Sequence, residues 1–285
     1  MVSVEALQLL SIPFLACLVL IGIHCYLGIH VLERGVIFVD LALAQIAALG
    51  IACALLQGAE PESNTAFVYS LLFVFIGAAA FSVARSRDDR IPQEAIIGIA
   101  YVVASAGAIL LLSRSPHGAE EMESILIGNI LFVTLPDVLK TAGIYAIVGL
   151  FHYRFRERFL LISQNVAEAR RRGWSIVTWD FLFYLTFGLV VTSSVRIAGV
   201  LLVFSYFVVP TVCAMLFARH IRSRLFWGCA IGFVASILGL YLSLQFDLPT
   251  GASLVVTFGA VLIVCAILYA LLPKRPIQTT VKAPS

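Results

Sequence analysis

The sequence predicts an all-α fold: a polytopic helical membrane bundle of about nine spans (eight to nine), plus one short re-entrant or surface helix and one polar helix on the cytoplasmic face. Three observations carry that prediction. Mean hydropathy is +1.03, and only 12% of the 285 residues are charged, where a soluble domain carries roughly 25%. Apolar runs of about 20 residues, the length a helix needs to cross the hydrocarbon core, recur along most of the chain. The basic residues, finally, gather on one side of those runs.

Taken in order, spans are expected at 7–32, 36–57, 65–84, 92–113, 138–153, 175–192, 197–218, 225–246 and 252–272. The first run has no basic flank before it (Glu5 is the only charge) and exceeds the apolar core of a signal peptide, so it is expected to stay as a span. Segment 121–135 is too short to cross and is expected as the re-entrant or surface helix. Residues 1–285 are expected to form one transmembrane domain, with 273–285 a disordered tail. Cys17, Cys25, Cys53, Cys213, Cys229 and Cys265 all lie in apolar runs and read as small core residues, not a disulfide framework.

Sixteen of the nineteen Lys and Arg fall on one side of these spans, and only Arg114, Lys140 and Arg196 on the other. The positive-inside rule then puts the N-terminus outside and the C-terminus in the cytoplasm. Acids mark the outer loops: Glu60, Glu62, Glu120, Glu121, Glu123 and Asp247. An acidic mouth concentrates cations, and simple avoidance of basic residues outside gives the same pattern.

Leu160–Gly173 is a polar island between spans, on the cytoplasmic side. Asn165 and Glu168 stand three apart, as an N-cap and the acid that can bond back to it. Arg170, Arg171 and Arg172 crowd the C-terminal end, where the helix dipole favours cations, and Gly173 stops the helix. A helix of about 162–173 held outside the bilayer is offered to a partner.

Within the spans, a tight turn near Glu33, Arg34 and Gly35 predicts that spans one and two are antiparallel neighbours. His24 and Asp40 then sit at matching depth, roughly 10–14 Å above the turn, with Cys25 beside His24 and Gln45 about a turn deeper. An intramembrane acid marks a polar pathway or a partner, and a His, an acid and a thiol at one depth suit a transient transition-metal site. The competing readings are a core His24 bonded to a backbone carbonyl and an Asp40 that caps or pairs with Arg34. His30 and Glu33 are expected at the interface, and Glu94 and Asp180 as helix-start acids. Small residues such as Ala42, Ala47 and Gly50 in span two, and Gly98, Ala104 and Gly107 in span four, permit close packing. Pro210 is expected to kink span seven.

Absent motifs narrow the function. There is no G-x-x-x-x-G-K-[ST], no H-E-x-x-H and no G-x-S-x-G, so P-loop ATP hydrolysis, a zincin-type protease and an α/β-hydrolase elbow are unsupported.

Four segments in order carry a resemblance: QEAIIGI (93–99), LIGNILFV (126–133), RIAGVLLVFSYFVVPTVCAMLFARH (196–220) and FDLPTG (246–251). Over about 20–272 the chain resembles the integral-membrane permease subunits of ABC importers for divalent metals, the zinc, manganese and iron group. The resemblance implies that Gln164, Asn165, Glu168, Ala169, Arg170, Arg171 and Gly173 belong to a coupling helix seated in a separate ATP-binding subunit. It implies a homodimer in a bacterial inner membrane, an extracytoplasmic metal-binding protein docked outside, no nucleic acid, no resident cofactor and a divalent metal ion as transported substrate. The family's G-D-A-L-S-H-A pattern is broken here. Asp40 stands one position early and Gln45 replaces the imidazole, so neither role is carried onto Leu41 or Gln45. Asp40, His24, Cys25 and Gln45 are the candidate pathway residues. A proton-coupled secondary transporter using Asp40 and His24, and an intramembrane metalloenzyme on His24, Cys25 and Asp40, are the alternatives.

Overall fold

A computed structural model describes residues 4–60, 63–87, 91–115, 118–128 and 130–272. The expected tail at 273–285, with Lys274, Arg275 and Lys282, lies outside the described residues, as do Glu62, Arg90 and the side chains of Arg87 and Glu121.

Among the described residues every regular element is helical. The order is α1 (Val4–Arg34), α2 (Val39–Leu55), α3 (Asn64–Arg87), α4 (Gln93–Leu112), α5 (Gly118–Ile127), a 3₁₀ turn (Ile130–Phe132), α6 (Leu135–Arg154), α7 (Arg156–Gln164), α8 (Val166–Arg171), α9 (Ile176–Phe217), α10 (Ile221–Phe246) and α11 (Thr250–Leu271). Six of them, α1, α3, α4, α9, α10 and α11, are long and apolar enough to cross a membrane, and α2 is a shorter apolar helix. The chain is thus a multi-pass helical membrane protein.

The 42 residues of α9 are two helices in sequence. Gly199 breaks them with φ 74° and ψ 163°, a conformation open to glycine almost alone. Phe187 and Phe207 stack with ring centroids 4.8 Å apart. In one straight helix, 20 residues would separate them by about 30 Å. The two arms therefore fold back on each other. The expected spans 175–192 and 197–218 put the turn between these crossings at 193–196; the reversal falls slightly later, at Gly199, and Pro210 lies inside the second arm, against Gly228 and Gly232 of α10.

The reversal fixes which residues share an end. Asp180 at the start of α9 meets Arg34 at the end of α1. Arg224, in the first turn of α10, pairs with Glu33, the neighbour of Arg34. Glu94, in the first turn of α4, accepts from the Phe38 amide at 3.1 Å. At the opposite end, Gly128 after α5 packs against Ala198 and Gly199, and Gly251 packs against the Ile127 carbonyl.

Spans one and two are not the neighbours that the tight turn predicts. α1 lies mainly against α9, α10, α6 and α7, while α2 lies against α3, α4 and α9. Small residues do bring α2 and α3 together: a Cβ on Gly50 would stand 2.7 Å from the Tyr69 carbonyl oxygen. In α4 the expectation holds on the face toward α2, where Ala104 and Ala108 are buried and a Cβ on Gly107 would stand 3.1 Å from Leu49 Cδ1, and the opposite face is open. Gly98 faces open space, and Ile99, Val102 and Val103 are exposed, as a lipid-facing surface requires.

Candidate functional site

The polar helix is built as two pieces. Asn165, with φ −149° and ψ 82°, ends α7 and caps α8. Its side chain accepts from the Glu168 amide at 3.0 Å, which satisfies one of the free donors of the first turn. The reciprocal half of the capping box is missing. The Glu168 carboxylate turns instead to Arg171 at 2.9 Å and Arg172 at 3.2 Å, because these cations lie one turn on along the same face.

The other end closes as a Schellman motif. Trp174 N–H donates to the Ala169 carbonyl and Gly173 N–H to that of Arg170, at 3.2 and 3.0 Å, with Gly173 at φ 74°. Ala169 is wholly buried against Ile162 and Ile176, with Trp174 packed on them. One face of α8 is thus anchored. Gln164, Asn165, Arg170, Arg171 and Gly173 are exposed, and Arg170 has no carboxylate partner among the described residues.

Two residues before Asn165, Ser163 ties this unit to the bundle. Arg34 Nε donates to Ser163 Oγ at 2.9 Å, and the Ser163 hydroxyl lies 2.8 Å from His30 Nδ1. Arg34 Nη1 donates to Asp180 Oδ1 at 2.5 Å, and Arg85 Nη1 to both oxygens of Asp180 at 2.9 and 3.0 Å. The Arg34 guanidinium also lies 3.8 Å from the centroid of Phe183. Asp180 is therefore not the helix-start acid its position suggested. It is the fully buried counter-charge of two arginines. His30 is likewise no snorkelling interface residue but is buried beside Ser163.

The proposed metal constellation is not assembled. α1 runs unbroken to Arg34, so His24 lies about 15 Å above its end, whereas Asp40 sits in the first turn of α2. Matching depth assumed helices of equal reach on both sides of a short turn, and the turn consumes residues 35–38. His24 Nδ1–H donates to the Leu20 carbonyl at 2.7 Å, leaving Nε2 to accept, 3.0 Å from Ser194 Oγ. Phe207 and Tyr145 flank the ring. Cys25, one residue on, faces Gly228 of α10 instead. Among the described residues, no group of three or more His, Cys, Asp and Glu could hold a metal ion.

Asp40 differs from His24. It is 2% exposed, and neither carboxylate oxygen accepts a hydrogen bond from a described residue. The Oε1 of buried Gln45 is likewise unpartnered. Orphaned buried acceptors are costly, so this stretch of α2 has unused binding capacity. Near the end of the bundle opposite Asp180, a cavity of about 410 Å³ lies between α3, α6 and α9, with Asp137, Lys140 and Arg196 in its wall. Asp137 is engaged in the capping box with Thr134 that starts α6.

Fold and polar helix together define a polytopic membrane protein that presents an anchored polar helix and whose sequence has no G-x-x-x-x-G-K-[ST] motif. The chain belongs to the ABC 3 transport family, whose model matches residues 7–270. It is 26% identical over 277 residues to the manganese transport system membrane protein MntC of Halalkalibacterium halodurans, covering 95% of this chain and 92% of that one. It is 26% identical over 259 residues to a probable iron transport system membrane protein of Haemophilus influenzae, covering 90% and 88%. Its fold matches a chain of PsaBC from Streptococcus pneumoniae with a TM-score of 0.75 at 24% identity, covering 92% and 93%.

Proposed function

We propose that this chain is the membrane-spanning permease subunit of an ATP-driven importer for a divalent transition-metal ion, of the manganese, iron or zinc type. Membership of the ABC 3 transport family and the names of its relatives support that class. The observation that carries the mechanism is α8: buried at Ala169, exposed at Arg170 and Arg171, and linked through Ser163 to the ion cluster at the ends of α1, α3 and α9.

In this reading α8 docks on a separate ATP-binding subunit. Movement of α8 passes through α7 and Ser163 to Arg34, and so to the helices that open and close the pathway. The chain itself catalyses no covalent chemistry. Counting the two arms of α9 as separate crossings of about 34 and 27 Å, with α2 and α6, gives nine spans. The arginine-rich end then faces the cytoplasm, with the N-terminus outside. Two copies form the pathway, and an extracytoplasmic metal-binding protein delivers the ion. Asp40 is the pathway residue, because its carboxylate is buried without a donor; His24 is a packing residue.

Co-purification tests the docking. Wild-type chain is expected to retain its ATP-binding subunit, and Arg170→Glu with Arg171→Glu to lower that association by an order of magnitude or more, since two cations become two anions at an exposed contact. Undiminished association and uptake would remove α8 from the interface. For Asp40→Asn, ATP-driven accumulation of manganese or iron is expected to fall at least about tenfold while the folded yield holds. Unchanged accumulation would exclude Asp40 from the pathway.

A further inference from the structure

The end of α6 and the start of α7 enclose a cavity of about 680 Å³ that the transport reading does not use. Tyr153, Arg154, Phe155, Arg156, Arg158 and Trp174 line it. Each arginine rests on an aromatic face: Arg156 is 4.8 Å from the Tyr153 centroid, Arg154 5.3 Å from Phe155, and Arg158 4.7 Å from Trp179. Such contacts hold the guanidinium planes without neutralising them. None of the three has a carboxylate partner among the described residues; the one acid in the wall, Glu157, is taken by Arg172 at 3.1 Å. The cavity is therefore a cradle of about three uncompensated positive charges.

Its other wall belongs to the membrane. Leu150 lines the cavity and is 70% exposed, and Ile147, one turn further up α6, is 71% exposed. The two lie three apart, so they share a face and continue the cavity as an apolar strip along a spanning helix. A ligand that fills both parts needs an anionic head and an apolar tail.

We propose that this cradle is a binding site for an anionic phospholipid of the arginine-rich leaflet, with the phosphate among Arg154, Arg156 and Arg158 and an acyl chain along Leu150 and Ile147. Basic pockets at the ends of spanning helices suit such headgroups, each cation contributing about fivefold in affinity. A free phosphate would satisfy the arginines but leave the strip unused. An acidic protein would meet the arginines but could not follow the strip into the bilayer. The site lies beside Trp174, the residue that closes α8, so an occupied cradle buttresses the surface helix.

Native mass spectrometry of the full-length chain tests the assignment, with cardiolipin, phosphatidylglycerol or phosphatidylcholine added. The anionic lipids are expected to be retained and phosphatidylcholine lost. Combined Arg154→Gln, Arg156→Gln and Arg158→Gln should lower retention on the order of a hundredfold, while Arg219→Gln with Arg222→Gln, at the same end of the bundle, should change it little. Lysine at all three positions should keep most of it. Equal retention by the triple glutamine variant, or full displacement by millimolar inorganic phosphate, would overturn the proposal. Should the triple variant fold poorly, a photoactivatable phosphatidylglycerol on the wild-type chain decides: label within 147–158 supports the site, and label confined elsewhere refutes it.

Discussion

Asp180→Asn is expected to be among the most damaging single substitutions in this chain, although it changes one atom for another of similar size. Its carboxylate is fully buried and is the only anion contacting Arg34 and Arg85 among the described residues. The neutral amide would leave two guanidinium groups facing each other in a water-poor interior. Removing one partner of a buried ion pair costs about 3–5 kcal/mol, mostly because of the charge left behind. At that size the melting temperature in detergent should fall on the order of 10 °C. The three positions should not be equivalent. Arg85→Gln leaves a one-to-one pair of Arg34 with Asp180 and should be the mildest. Arg34→Gln keeps such a pair with Arg85 but loses the donor to Ser163, so it should fall between. A melting order of Asp180→Asn below Arg34→Gln below Arg85→Gln checks the charge arithmetic. Similar values for all three would mean that water reaches the cluster.

The same cluster carries a functional consequence. Arg34 makes the polar link between the unit formed by α7 and α8 and the bundle, through the hydroxyl of Ser163. Loss of that link should uncouple before it unfolds. Ser163→Ala removes only the shared hydroxyl, and under the proposed function ATP hydrolysis by the assembled transporter should then proceed with less metal accumulated per ATP.

Much of this architecture is legible in the residues because local physics fixed it. The long apolar runs marked the six helices long and apolar enough to cross, and Gly173 marked the end of α8, since a left-handed C′ position favours glycine. The one-sided arginines matched the end where Arg34, Arg85 and Arg224 gather. Long-range pairing was not legible in the same way. Nothing near Asp180 in sequence announces Arg34, 146 residues away. His24 and Asp40 looked paired because the turn between them is short, yet chain proximity does not make α1 and α2 neighbours in a bundle where α9 packs against both. The capping box formed only half because Glu168 had two arginines on its own face to choose over the Asn165 amide, which already bonds the Leu161 carbonyl. The apolar run of α9 was legible as two crossings, but the turn was expected at 193–196, and Gly199, the residue that makes it, fell inside the expected span 197–218.

Gly199→Ala is accordingly the second large expected effect, and its cause can be isolated. Two penalties act at once. Alanine disfavours φ 74° with ψ 163°, a region held almost only by glycine, by about 1–3 kcal/mol, and its Cβ would sit 2.3 Å from the Gly128 nitrogen and 2.4 Å from the Ile127 carbonyl carbon. Both are backbone atoms, so no side chain can rotate away. Gly128 cannot yield either, because it is itself at φ 68° with its own Cβ position 2.2 Å from the Ala198 carbonyl carbon. Relief requires α5 to move off the reversal of α9, which parts the two arms from the helices around them. Gly173→Ala is the internal control: φ is again 74°, but nothing lies within 4 Å of the added methyl. That variant should lose only the dihedral term and remain a folded, slightly less stable protein. Gly199→Ala should give little or no monodisperse protein after extraction. If both variants behaved alike, backbone strain alone would account for the effect, and the contact between Gly128 and Gly199 would carry no steric weight. If they differ as expected, the end of the bundle opposite Asp180 is held by two glycine backbones pressed together, and any motion that opens that end must slide one across the other.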